Sequence, residues 1–234
     1  MNRREELEQR PVARRIPAEG PPVERLEKLP RSFYLRPTLT VARDLLGKLL
    51  VRRWERTLLV GRIVEVEAYL GARDPASHAY HGPTRRNSVM FGEGGHLYVY
   101  FTYGMHFCCN VVTEGEGTGH AVLLRAAEPI RGTEVMARLR GVGDPGDDDL
   151  PLPHSQLLSL CSGPGKLCQA FGIGRMDNGA DLCGSAIWFA QGPEAPARRI
   201  GISARIGIRG GEQHRWRYFL KDSPFVSKGK PVAP

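Results

Sequence analysis

The sequence predicts a single α+β domain built around a curved, mostly antiparallel β-sheet with a few short helices. Two patterns and the chain length predict this class. Segments that alternate apolar and polar residues, a pattern typical of strands, outnumber the segments with a helical period. Strands and helices do not alternate regularly, as they would around a parallel sheet, and no internal repeat is visible. The length of 234 residues suits one large domain.

The predicted elements follow one another along the chain. Residues 1–31 are rich in Arg, Glu and Pro and lack an apolar period, so we predict a flexible N-terminal arm before a folded domain over 32–234. The predicted helices cover 40–46, 133–140 and 164–171. The predicted strands cover 48–54, 61–69, 97–103, 107–113, 120–127, 186–190, 200–208 and 216–220. Residues 70–96 and 141–156 are loops, and a loop as long as the first usually carries function.

Composition limits the class of function. A formal net charge of +8 favours an anionic partner, with nucleic acid as the first candidate. The five cysteines include no C-x-x-C pair, which indicates buried thiols in a reducing compartment rather than a zinc site. No signal peptide is visible and no apolar run approaches about 18 residues, so we expect an intracellular protein without a membrane span.

The segment RIVEVEAYLG contains the strongest candidate for catalysis. Strand alternation places Glu65, Glu67 and Tyr69 on one face, and Val64 and Val66 on the other. A carboxylate at the end of an apolar strand could activate a water molecule as a general base. A solvated outer face of the sheet is the alternative interpretation.

The segment LYVYFTYGMH is unusually rich in phenol rings. Alternation places Tyr98 and Tyr100 on one face of the strand, where core packing is the alternative to a binding role. Tyr103 precedes Gly104 at the predicted turn. A ring at an exposed turn is suited to stacking on bases or to acting as a wedge between them.

Several cations lie near these segments. Arg125 is placed inside an apolar strand, so it needs an anionic partner such as Glu67 or a bound anion. The segment SGPGKL begins a helix, where free backbone N–H groups and Lys166 could bind a phosphate. Arg85 and Arg86 add positive charge beside the tyrosine-rich strand.

Together these segments resemble the alkyladenine DNA glycosylase family, the 3-methyladenine DNA glycosylases of mammalian type. The matching segments are GRIVEVEAYLG, HAYHGPTRRN, LYVYFTYGMHFCCNVV, LLRAAEP and CSGPGKLCQAF, in the family's order from about Arg31 to the end of the chain. The agreement of five separate segments makes the resemblance specific. It implies a single mixed α/β domain that flips a damaged purine out of duplex DNA and hydrolyses its N-glycosidic bond.

The resemblance also implies a role for each matching residue. It makes Glu67 the catalytic base and Arg125 the arginine beside the catalytic water. It assigns the pocket for the flipped base to Tyr69, His78, Tyr100 and Asn110, the last disfavouring the 2-amino group of guanine. It makes Tyr103 the wedge, and the other residues expected at the DNA are Met105, His106, Arg86 and Lys166. His106 departs from the tyrosine expected in mammalian relatives, so the gap in the stack could be filled differently.

The expected partner is double-stranded DNA with an alkylated or deaminated purine, 3-methyladenine or hypoxanthine among the candidates. No nucleophilic lysine belongs to the matching residues, so we expect a monofunctional enzyme that leaves an abasic site. The resemblance implies neither a metal nor an organic cofactor. We expect an intracellular monomer that associates with DNA, in the cytoplasm and its nucleoid or in the nucleus.

Two other functions remain open from the residues alone. Glu65 and Glu67 would lie about 6.5–7 Å apart on a strand, close to the separation in inverting O-glycoside hydrolases. The positive charge and the lack of a tryptophan-lined groove oppose that interpretation. A non-catalytic nucleic-acid-binding module would need the tyrosines and the cations but not Glu67. Activity on a chromogenic glycoside would indicate the first, and DNA binding without base release the second.

Overall fold

The computed structural model describes residues 26–102, 104–142 and 152–229. An eight-stranded sheet that does not close into a barrel forms the centre of one α+β domain, and all pairings among the described strands are antiparallel. The strands are β1 Leu49–Trp54, β2 Thr57–Leu70, β3 Leu97–Thr102, β4 His106–Val112, β5 His120–Arg131, β6 Ile187–Ala190, β7 Ile200–Ser203 and β8 Arg217–Leu220. Their order is β3-β4-β5-β2-β1-β6, and β8 joins β2 and β7. The predicted fold class is confirmed.

The helices are short, as predicted. They are α1 Arg31–Tyr34, α2 Thr38–Leu45, α3 Thr133–Arg140, α4 His154–Leu160 and α5 Pro164–Ala170, with 3-10 helices at Gly71–Arg73, Ser88–Phe91, Arg175–Asp177 and Ala197–Arg199. The sequence did not predict α1 or α4, because four and seven residues are too few to show a helical period. No helix in the described ranges is long and apolar enough to cross a membrane.

Strand β2 is the longest strand, at 14 residues. One edge pairs with β5 over nearly its whole length. The other edge pairs first with β1, and then with β8 between Glu65 and Glu67. Both glutamates are therefore buried between two neighbouring strands, with 0% exposure. The solvated outer face considered for these carboxylates is wrong.

The ladder between β2 and β5 shifts register on both sides of Glu65. Such a bulge interrupts the regular alternation of faces. Val64 packs with Phe225 in a small apolar cluster, whereas Val66 joins the main core. Alternation predicted that Val64 and Val66 would share a face, so that prediction is wrong at the bulge.

The main core lies on the side of β2 that carries Val66 and Ala68, and it includes residues of α2 and α5. Glu67 and Tyr69 alternate with these residues and so face the opposite side of the sheet.

Of the predicted N-terminal arm, residues 1–25 lie outside the described residues. Leu29 is buried, and its N–H donates to the Phe189 carbonyl at 2.9 Å. The division of the chain at residue 31 stays a prediction.

Candidate active site

A cleft of about 390 Å³ opens on the sheet face opposite the main core. Strands β2 to β5 supply one wall, and the loops 71–96 and 204–211 supply most of the rest, together with Pro164 of α5. Six of the residues discussed from the sequence line it, namely Tyr69, His78, Tyr98, Tyr100, Asn110 and Arg125. The fold therefore brings together side chains from four of the five matching segments of the sequence.

Glu67 lies directly behind this cleft. Its Oε2 accepts a hydrogen bond from the Tyr69 hydroxyl at 3.0 Å and lies 3.3 Å from Nη1 of Arg125. Its Oε1 accepts a hydrogen bond from the backbone N–H of Ile206 at 2.7 Å. Tyr69, Arg125 and Ile206 all line the cleft, so every group that holds the carboxylate lies between Glu67 and the open space.

Burial raises the pKa of Glu67 above the usual range of a glutamate. The charge of Arg125 and the hydrogen bonds from Ile206 and Tyr69 act in the opposite direction without cancelling this effect. A carboxylate with a raised pKa accepts a proton more readily, which suits a general base.

Glu65 has the opposite environment, although it lies only two residues away. Its Oε1 accepts hydrogen bonds from Nε of Arg125 at 2.9 Å and Nε of Arg217 at 2.7 Å. Its Oε2 accepts the backbone N–H of Ser227 at 2.7 Å. Burial alone would raise its pKa, but the two arginines outweigh burial and hold the pKa of Glu65 below its usual value. The pair thus divides into an ionised structural carboxylate, Glu65, and a more basic one, Glu67.

Arg125 bridges the two carboxylates from β5. The sequence predicted that this arginine needs an anionic partner, and the structure supplies both glutamates of β2. Burial would lower the pKa of Arg125, but Glu67 and Glu65 outweigh burial and raise it, so the guanidinium keeps its charge. Arg217 is not among the predicted site residues, although it is buried against the same Glu65 carboxylate.

Aromatic rings form the wall that faces the loop 71–96. The His78 and Tyr100 rings meet edge to face with their centroids 4.4 Å apart, and His78 Nδ1 lies 3.1 Å from the Tyr98 hydroxyl. Burial, aided by the charge of Arg86, lowers the pKa of His78, so its imidazole is neutral at pH 7. Tyr98 is 1% exposed and belongs to an apolar cluster, and it also lines the cleft.

Asn87 organises the loop that carries His78. Its buried side-chain Nδ2 donates to the carbonyls of His78 at 2.7 Å and Gly82 at 3.1 Å. Its Oδ1 accepts the backbone N–H of Thr84 at 2.6 Å. Asn87 therefore holds the loop together. No pattern in the sequence predicts this contribution, because it depends on contacts within an irregular loop.

Asn110 presents a hydrogen-bond donor at the cleft. It lies on β4, and within the part of the chain that the structure describes its buried Nδ2 has no hydrogen-bond partner. A buried amide N–H without a partner costs about 1–3 kcal/mol of folding free energy. A ligand that accepts a hydrogen bond from this N–H would remove that cost and so bind more tightly.

The loop 204–211 closes the cleft on the side of Glu67. The sequence predicted a strand over 200–208, but β7 ends at Ser203. Gly207 then adopts a φ of 69°, which strands do not allow, and the chain turns toward the cleft. This turn places the Ile206 N–H where it donates its hydrogen bond to Oε1 of Glu67.

The residues predicted to contact DNA lie on the turn after β3 and around it. Met105 is 68% exposed, and His106 starts β4 with its side chain packed beside Gly165. Arg86 is exposed and donates to the Phe101 carbonyl at 3.2 Å. Lys166 is exposed in the first turn of α5. Tyr103 lies outside the described residues.

No group of three or more His, Cys, Asp or Glu side chains able to hold a metal ion occurs among residues 26–102, 104–142 and 152–229.

Comparison with known proteins finds similar sequences over most of the chain. A family model described as methylpurine-DNA glycosylase matches residues 32–224. A protein of Chlorobaculum parvum is 46% identical over 210 residues, which cover 89% of this chain and 95% of that protein. One of Alkaliphilus oremlandii is 47% identical over 205 residues, 86% and 99% of the two chains. One of Methanocella arvoryzae is 49% identical over 207 residues, 87% and 97%. All three carry the provisional name 3-methyladenine DNA glycosylase.

Proposed function

The chain belongs to the methylpurine-DNA glycosylase family, and from that premise we propose that it flips damaged purines out of duplex DNA and hydrolyses their N-glycosidic bond. The observation that carries the proposal is the position of Glu67. Its carboxylate lies directly behind an aromatic cleft, with Oε2 held by the Tyr69 hydroxyl and the Arg125 guanidinium, both of which line that cleft. The proposed partner is double-stranded DNA, and the proposed active species is a monomer.

Base flipping follows from where the carboxylate lies. A purine inside the duplex cannot reach a group at the back of a cleft, and extruding it costs a few kcal/mol. Stacking on an aromatic side chain returns about 1–3 kcal/mol for each base. Tyr69 and Tyr100 offer such surfaces, and a positively charged alkylated purine gains a further cation–π attraction. A neutral His78 beside them does not repel that charge.

The proposed hydrolysis uses a water molecule held at Oε2 of Glu67. As the bond between C1′ and the purine nitrogen breaks, the purine leaves with the bonding electrons and the sugar becomes oxocarbenium-like. The water oxygen forms the new bond to C1′, and its proton passes to Glu67. Arg125 orients the carboxylate and remains charged throughout.

The proposed reaction ends at an abasic site. Among the described residues that line the cleft none is a lysine, so no amine is placed to form a Schiff base with the sugar. Asn110 offers its free N–H to an acceptor on the base, and we assign it the discrimination between purines. 3-Methyladenine and hypoxanthine are the proposed substrates.

The proposal is tested by incubating the protein with matched duplexes that contain 3-methyladenine, 7-methylguanine or hypoxanthine and identifying the released base by chromatography. We expect a free purine and a DNA strand that breaks only after alkali treatment. Strand cleavage without alkali would contradict the monofunctional reaction. Binding to every duplex without release of any base would favour the non-catalytic module.

Binding should depend on salt through the basic residues near the cleft. We expect the logarithm of the affinity to fall linearly with the logarithm of the salt concentration. Arg86→Ala and Lys166→Ala should each flatten that slope by about 0.9 if each contacts one phosphate. Arg56→Ala is the matched control, since this exposed arginine lies in the β1–β2 turn, roughly 40 Å along β2 from the cleft. Equal slopes in all three variants would show that the two residues do not contact DNA.

Tyr103 is proposed as the wedge on the basis of the sequence. Its neighbours fit an exposed turn, because Gly104 has a φ of 69° and Met105 is 68% exposed. Tyr103→Ala should shift the flipping equilibrium by roughly 1–3 kcal/mol toward the stacked state while thermal stability is retained. The fluorescence of an ethenoadenine lesion measures the flipped fraction. Normal flipping with earlier unfolding would make Tyr103 a packing residue and leave Met105 and His106 as candidates.

A further inference from the structure

Arg205 is a fully buried arginine that the proposed reaction does not use. It is 0% exposed, and its guanidinium forms two bonds to Asp74, at 2.5 Å and 2.7 Å. The guanidinium carbon lies over the Tyr69 ring at 4.6 Å and over the Trp216 ring at 5.1 Å. Nη1 also donates to the Ala68 carbonyl at 3.0 Å.

These contacts tie together the parts of the chain that surround Glu67. Ala68 lies between Glu67 and Tyr69 on β2, and Asp74 belongs to the loop that carries His78. The Asp74 carboxylate also accepts the N–H of Ala76 at 3.1 Å, which orders that loop locally. Arg205 itself belongs to the loop that closes the cleft from the other side.

Arg205 lies next to the two groups that donate hydrogen bonds to Glu67 among the described residues. It contacts the ring of Tyr69, whose hydroxyl donates to Oε2 of Glu67. It directly precedes Ile206, whose N–H donates to Oε1. We propose that Arg205, ion-paired with Asp74, is a positioning residue that fixes the Tyr69 ring and the Ile206 N–H so that they orient Glu67. This inference rests on the proposed role of Glu67.

The chemistry of the guanidinium explains why an arginine serves here. Its planar group can bind a carboxylate through two parallel bonds and stack on an aromatic ring at the same time, which a lysine ammonium cannot do. Gly211 leaves the room for it, since a Cβ atom there would lie 2.9 Å from Nη2 of Arg205.

The inference makes a distinct prediction for the titration of Glu67. Burial raises the pKa of Glu67, and the bonds from Ile206 and Tyr69 lower it. If these two donors lose their fixed positions, the pKa should rise further. The other charged groups that face Glu67 are Arg125 and Glu65, and neither is altered in the test. Trp216, the second ring in contact with Arg205, stacks on the ring of His214, with the two ring centroids 3.9 Å apart.

The test uses the double variant Asp74→Asn/Arg205→Met, because removing both partners of a buried ion pair leaves no unpaired charge. NMR titration of ¹³C-labelled glutamate side chains should show the Glu67 pKa displaced to higher pH. Single-turnover base release should fall about 10- to 100-fold, and the acidic limb of its pH profile should move in the same direction.

Two further variants separate positioning from stability. Arg205→Lys keeps a positive charge for Asp74 but lacks the planar group that stacks on Tyr69. This single variant should therefore have the thermal stability of the wild type, while its Glu67 pKa should be raised as in the double variant. Arg52→Met/Asp177→Asn is the matched control, because Arg52 pairs with Asp177 at 2.8 Å and lies 5.3 Å over Trp54, away from the cleft. It should leave the Glu67 titration unchanged.

The outcomes also separate this inference from the proposed function. An unchanged Glu67 pKa and a wild-type rate in the Asp74→Asn/Arg205→Met variant would overturn the positioning role while base release by the wild type stands. Full rescue of both readouts by Arg205→Lys would reduce Arg205 to a structural residue. Absence of base release by the wild type would instead overturn the proposed function, whereas the NMR titration would still decide whether Arg205 orders the donors.

Discussion

Replacing Glu67 by glutamine should abolish base release, by at least the roughly 10²–10⁴-fold typical of a lost general base. The amide has nearly the shape of the carboxylate, so Oε1 can still accept the Ile206 N–H, but it cannot take a proton from water. Binding to lesion-containing DNA should be retained. Single-turnover kinetics and a binding assay on the same duplex measure the two quantities separately.

Glu128→Gln is the matched control for this variant. Glu128 is a partly buried carboxylate of β5 that pairs with Arg62, outside the cleft. Turnover near the wild-type level in Glu67→Gln would end the assignment of Glu67 as the base.

In the wild type, only the ionised form of Glu67 can act as a base. Base release should therefore decline as the pH falls through a pKa that lies above the usual glutamate range.

Replacing Glu65 by glutamine should destabilise the fold, by about 3–5 kcal/mol. The reason is that the change leaves Arg125 and Arg217 buried without the charge that both of them share. For a chain of this size we expect a decrease in Tm of roughly 6–20 °C. Thermal unfolding measures the effect, and base release should also fall because Arg125 loses its anchor.

The dependence of this effect on pH has a defined sign. The pKa of Glu65 is depressed in the folded state. Its stabilisation is therefore fully present above the unfolded value of about 4.3 and is lost as the pH falls through the folded value. The difference between wild type and Glu65→Gln should shrink in acid. Glu67 has a raised pKa, so Glu67→Gln should leave the stability at pH 7 unchanged or increase it. Equal destabilisation by the two variants would contradict this division of roles.

Local patterns in the sequence predicted the sheet and much of the cleft. The two-residue period of β2 placed Glu67 and Tyr69 on one face, and the charge within an apolar strand identified Arg125 as a residue that needs an anion. The same signal was present for Arg217 in the segment WRYFL and could have identified it.

The remaining features depend on contacts between distant segments. The bulge at Glu65 arises from the pairing of β2 with β5, and no pattern within β2 indicates it. Arg205 and Asp74 are 131 positions apart, so their pairing follows only from the assembled fold. The N–H of Ile206 belongs to a turn. The apolar residues around it follow a regular pattern, and that pattern predicted a strand at this position.

The two carboxylates of β2 depend on groups that are synthesised last. Ile206, Arg217 and Ser227 all follow the tyrosine-rich strand by about a hundred positions or more. A nascent chain that ends before residue 206 contains Glu67, Tyr69 and Arg125, but none of these three partners. Folds that depend on such non-local contacts form more slowly than folds with local contacts. The hydrogen bonds that hold the two carboxylates of β2 are therefore complete only after the C-terminal segment has been synthesised.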